Sequence, residues 1–125
     1  MNEFILRHEL WIAAAVLLLA AACTALYKVH PGALNTADSV AYDALLVAEA
    51  AIDQARVENQ SRPFSTEAKE SLNRLIQSYN VAREAWLTYR GALAVNVSSD
   101  QYFEQLKRNL SDLANAVEAL KTKRR

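Results

Sequence analysis

The chain of 125 residues contains only two glycines, two prolines and one cysteine. So little glycine and proline leaves few turns, which excludes loop-rich sandwiches and barrels and makes a mainly helical chain the expectation. A lone thiol, Cys23, can form neither an intrachain disulfide nor a multi-cysteine metal site. No excess of one charge exists either: fourteen Lys and Arg balance fourteen Asp and Glu, so the whole chain offers no general attraction to nucleic acid or anionic lipid. Disorder is excluded as well, because 52% of the residues are hydrophobic.

Against these absences stands one long apolar run. Leu10 to Tyr27 is 18 residues without a charged side chain. As a helix it would extend roughly 27 Å, close to the ~30 Å hydrocarbon core of a bilayer. Trp11 and Tyr27 lie near its two ends, where amphipathic rings favour the headgroup layer, and Arg7, His8 and Lys28 lie just outside. These features predict a single transmembrane helix, with residues 1–29 as membrane anchor. Arg7 against Lys28 gives the positive-inside rule almost nothing to weigh. A short N-terminal tail before a larger domain favours a periplasmic or extracytoplasmic location for the rest. Ala20, Ala21, Ala22 and Cys23 resemble the lipobox of bacterial lipoprotein signal peptides, which implies a signal over residues 1–22 and lipidation of Cys23. Departures are the leucine, found at Leu19 rather than at Ala20, and the two glutamates of the n-region, Glu3 and Glu9.

His30, Pro31 and Gly32 should break the anchor helix, leaving residues 30–35 as a joint. Beyond it three amphipathic helices are expected at about 36–59, 66–94 and 99–122, within a bundle over residues 36–125. The first is capped by Asn35 or Thr36, carries Asp38 in its first turn, and buries Ala41, Leu45, Ala48, Ile52 and Ala55. Ser61 to Ser65 forms the first turn. The second helix places Ala68, Leu72, Leu75, Tyr79, Ala82, Trp86, Tyr89 and Leu93 on one stripe at alternating spacings of four and three. Ser98 with Gln101 fits a capping box, and Val97 with Tyr102 a hydrophobic staple, at the start of the third. That helix aligns Phe103, Leu106, Leu110, Leu113, Val117 and Leu120. The expected fold is all-α: an N-terminal transmembrane helix followed by an antiparallel up-down-up three-helix bundle.

Chemistry-bearing residues are few. His8 and His30 flank the apolar run on opposite sides, so they cannot meet if it spans a membrane. No zinc-protease histidine pair, phosphate-cradling glycine loop or nucleophile elbow occurs. The expectation is therefore no enzyme, no cofactor, no metal, no small-molecule substrate and no nucleic acid. Asp38, Asp43, Glu49, Asp53 and Glu58 against Arg56 make the first helix acidic, with neighbours at helical spacing that suit a solvated face. Arg83 and Arg90 are placed to pair with it. The aromatic residues Tyr79, Trp86 and Tyr89 belong to the buried stripe rather than to a nucleic-acid surface. Lys121, Lys123, Arg124 and Arg125 form a short basic tail, a candidate for electrostatic interaction with an anionic surface or partner. Expected partners are membrane lipids through the N-terminal segment, and a protein partner or a second copy through the bundle.

The function expected is that of a membrane-anchored helical scaffold, spacer or interaction module. Alternatives are an envelope lipoprotein attached through Cys23 and a small accessory subunit of a membrane complex. In outline, with an N-terminal anchor before a helical domain, the chain resembles phage inner-membrane spanins. Its antiparallel hairpins with short turns depart from the long coiled coils of that family.

Overall fold

The computed structural model describes residues 28–124. Within them lie three helices and no strand: α1 at Thr36–Ser61, α2 at Thr66–Ala94 and α3 at Asp100–Arg124. The chain divides between His30 and Pro31, and the unit Pro31–Arg125 holds all three helices. Among the described residues no helix is long and apolar enough to cross a membrane. The anchor run Leu10 to Tyr27 and Cys23 lie outside the described residues.

Each helix begins and ends for a local chemical reason. Asn35 caps α1 with its Oδ1, which accepts from the Asp38 backbone N–H at 2.8 Å. The helix runs on to Ser61 because nothing before Pro63 opposes it. There the proline forces Arg62 into extended backbone, φ −142° and ψ 105°. Asn59 Oδ1 accepts from the Phe64 N–H at 2.8 Å and holds the turn. Ser65 then caps α2 through its hydroxyl, which accepts from the Ala68 N–H at 3.2 Å.

Asn96 stops α2 with φ +57°, in the left-handed region where asparagine is better tolerated than most residues. Its N–H donates to Leu93 O, and the Val97 N–H donates to Ala92 O. This is a Schellman closure, which satisfies carbonyls that the helix end leaves without partners. The start of α3 differs from the expected capping box. The helix begins at Asp100, which puts Ser99 rather than Ser98 in the cap position, and the Ser99 carbonyl accepts from the Phe103 N–H at 2.8 Å. Val97 stays exposed instead of forming a staple. Val97 is the last residue of the Schellman turn, and helical bonding resumes at Ser99 O.

Contacts at both ends fix the helix directions. Arg124 at the end of α3 reaches Glu58 at the end of α1, and Lys123 reaches Glu67 at the start of α2. At the opposite end Tyr89, late in α2, meets Asn35 before α1 and Phe103 early in α3. The three helices therefore run up, down and up.

The core follows the apolar stripes. Leu45, Ala48, Ile52 and Ala55 of α1 pack with Leu72, Leu75 and Ala82 of α2 and with Leu113 and Leu120 of α3. Ala41, Tyr89 and Leu106 form a second cluster nearer the joint. Leucines supply most of the area, at about 1.5–3 kcal/mol for each fully buried side chain. Alanine fills alternate layers of α1. Tyr79 and Trp86 are only partly buried, with their polar ends directed to specific partners.

Candidate functional site

The most unusual chemistry in the bundle is a buried carboxylate. Asp38 stands in the first turn of α1 with only 2% of its surface exposed. An isolated charge there would be costly, so its partners decide whether the fold tolerates it. Oδ1 accepts from the Trp86 indole N–H at 2.6 Å, and Oδ2 accepts from the Leu34 backbone N–H at 2.9 Å. Arg90 brings its Nε to 3.3 Å from Oδ2. That nitrogen is buried and not aligned for a hydrogen bond, so the contact is an ion pair without directional bonding.

Two further connections extend this node. Trp86 and Arg90 are one helical turn apart on α2, and the guanidinium carbon lies 5.3 Å from the indole ring centroid. Arg90 Nη2 also donates to Gly32 O at 3.4 Å, and Asn35 Nδ2 donates to the Tyr89 hydroxyl at 2.8 Å. Gly32 has φ +85°, a backbone shape that a side chain would strain. Gly32, Leu34 and Asn35, all just before α1, are therefore tied to the end of α2 by separate polar contacts.

This arrangement is suited to holding rather than reacting. Both oxygens of Asp38 are already engaged, from the indole, the backbone and the arginine. The geometry makes it a clamp between the joint and α2. Among the described residues no three His, Cys, Asp or Glu side chains are grouped so as to hold a metal ion.

The basic tail forms the other charged cluster. Arg124 Nη1 is 2.7 Å from Glu58 Oε2 and its side chain is only 17% exposed. Lys123 lies 3.6 Å from Glu67, and Lys121 lies 3.5 Å from Glu118 on the same helix. Arg125 lies outside the described residues. Arg90 does pair with the acidic first helix, through Asp38, while Arg83 stays on the surface and acts at a distance on Tyr79. Asp53 and Arg56 form the exposed neighbour pair their spacing implies, 3.8 Å apart.

Tyr79 carries a perturbed titration. Its hydroxyl donates to Glu49 Oε2 at 3.3 Å. Burial first, and then the negative charge of Glu49, push the phenol above its ordinary value of 10.0.

The node was not foreseen from sequence. Asp38 reads as a first-turn acid facing the helix dipole, and Trp86 as one more core position. The signal present is the pairing of Trp86 with Arg90 at i,i+4, which offers a polar donor and a cation on the same face as the apolar stripe. Comparison with protein-family models, with curated proteins and with solved structures gives no match.

Proposed function

We propose that the protein is a membrane-anchored helical scaffold, without catalytic activity, whose bundle acts as a spacer and protein-interaction module. The observation that carries this reading is the Asp38 clamp. It directs a buried carboxylate with three polar contacts to fixing residues 32–35, through which the chain enters α1, rather than to a substrate. A spacer needs such a firm point of entry. A flexible tether does not. The uncharged run Leu10 to Tyr27 supplies the anchor, and the bundle stands on the extracytoplasmic side.

The test is fractionation of the full chain expressed in bacteria. It should stay in the membrane pellet after alkaline carbonate washing, and deletion of residues 1–29 should release it. Recovery of the full chain in the wash would overturn the anchor. Alkaline phosphatase fused to the C-terminus should be active, since that enzyme matures only outside the cytoplasm.

The small residues before Cys23 favour a second reading, an envelope lipoprotein. Intact mass decides between the two. A chain beginning at Cys23 with an added diacylglyceryl group, absent in Cys23→Ser, selects the lipoprotein; an unprocessed chain selects the transmembrane anchor. Instability of the chain when produced alone would instead indicate an accessory subunit of a larger complex.

A further inference from the structure

The outer face of α1 carries a second stripe at helical spacing, apolar at four of its six positions, that the core does not use. Val40, Asp43, Val47, Ala50, Gln54 and Val57 recur at spacings of 3, 4, 3, 4 and 3, the same period as the buried seam on the opposite face. Val47 is 65% exposed and Val57 63%, with Leu46 beside them at 45% and Ala50 also exposed. Isolated apolar residues on a surface need no explanation, but a heptad-spaced stripe along one helix is the pattern of a helix-docking seam.

Charge selects the occupant. With Asp38 buried against Arg90 and Glu58 paired with Arg124, α1 keeps Asp43, Glu49 and Asp53 against Arg56, a formal −2, whereas α2 and α3 each carry a formal +1 over their full lengths. Glu49 and Asp53 border the stripe on one side, and Asp43 lies within it. A second copy docked through its own α1 would set −2 against −2. An anionic lipid surface would be repelled in the same way. We infer that the α1 outer face docks a cationic amphipathic helix of a partner protein, with apolar residues against Leu46, Val47, Ala50 and Val57 and Lys or Arg beside Glu49 and Asp53. This rests on the reading of the bundle as an interaction module and names the chemistry of its partner.

The test uses the full chain in nanodiscs of zwitterionic lipid, with empty nanodiscs as the blank. The probe is a fluorescein-labelled synthetic helix of about three heptads, with Leu at the seam positions and Lys at the flanking ones. A second probe has Glu in place of Lys. Fluorescence anisotropy should show saturable binding of the Lys probe and none of the Glu probe. Raising salt from about 0.05 M to about 0.5 M should weaken it. Val47→Ser with Val57→Ser should weaken it at least about tenfold, as expected for two lost anchor contacts. Both residues are exposed, so the helical circular dichroism should not change, and Val81→Ser on α2 should bind like the parent.

No binding of the Lys probe, equal binding of both probes, or binding unaffected by the paired serine substitution would each overturn the proposal. Those outcomes leave the anchored-module reading intact if the protein still resists carbonate extraction. Photo-crosslinkers placed at Val81 and Val97 would then report whether partners use another face.

Discussion

Trp86 of α2 donates its indole N–H to Oδ1 of Asp38 across 2.6 Å, joining residues 48 positions apart in sequence. The bond links the second helix to the first turn of the first, and the same carboxylate holds the Leu34 N–H on its other oxygen. The turn before α1 and the packing of α2 thus share one carboxylate. Asn35 supplies the cap, while Asp38 is released from that duty to face inward.

Trp86→Phe should keep most of the ring packing and remove the donor. A hydrogen bond to a charged group contributes about 1.5–3 kcal/mol, and a loss of that size should appear in urea denaturation followed by far-UV circular dichroism. Asp38→Ala should cost more, about 3 kcal/mol, because the indole, the Leu34 N–H and the Arg90 cation all lose their acceptor. The double substitution should cost less than the two separate losses combined. Strict additivity would show that the two side chains are not coupled.

The three helices were legible because their apolar stripes repeat without interruption. Leu75, Leu106, Leu113 and Leu120 stand where the alternating spacing puts them, each buried. The cap of α1 was legible as Asn35 or Thr36 for the same local reason, and Asn35 is the one that takes it. Asp38 was not legible, since an acid in a first turn already has a sufficient explanation in the helix dipole, and its burial depends on Trp86 and Arg90 arriving from another helix. The onset of α3 lies one residue beyond the expected one, because the Ser99 carbonyl rather than that of Ser98 takes the first helical hydrogen bond, from the Phe103 N–H. The second stripe on α1 is visible in the spacing once the core has claimed the first.

Core and surface substitutions should separate cleanly. Leu75→Ala and Leu106→Ala truncate side chains that are almost wholly inaccessible, and each should cost about 2–5 kcal/mol. Val47→Ala on the outer face of α1 should stay within about 0.5 kcal/mol. A large loss for Val47→Ala in the absence of any partner would mean that this face is covered within the protein itself.

Asn96 supplies a backbone test. With φ at +57° it occupies a region that favours glycine and strains branched side chains. Asn96→Gly should therefore be close to neutral, whereas Asn96→Val should cost about 1–2 kcal/mol. The same denaturation experiment reads both. Equal effects would mean that α2 is terminated by something other than this turn.

Tyr79 should titrate above the ordinary value for a phenol. Burial and Glu49 both disfavour the phenolate, so its folded value lies above 10.0, and the folded state holds the proton more tightly than the unfolded chain. The resulting stabilisation is fully present below pH 10 and is lost as pH rises through the raised value. The ring carbon bearing the hydroxyl, followed by carbon-13 NMR and assigned with Tyr79→Phe, gives the titration directly. Glu49→Gln should lower the midpoint toward the ordinary value. An unchanged midpoint would leave burial as the whole cause.

The tail should divide by exposure rather than by charge. Lys121 and Arg124 each face a glutamate, but the Lys121 side chain is 57% exposed and that of Arg124 only 17%. Water and salt screen the first pair more strongly, and an exposed lysine loses more freedom when held in one geometry. Lys121→Ala should accordingly be near neutral. Arg124→Ala should cost about 1 kcal/mol, at the upper end for a surface pair, because it also frees the end of α3 from Glu58 of α1. A cycle with Glu58→Ala isolates that coupling, and repeating it in about 0.5 M salt should reduce but not abolish it. A coupling of zero would mean that Arg124 does not hold the end of α3, which then rests on Leu120 and the Lys123–Glu67 pair.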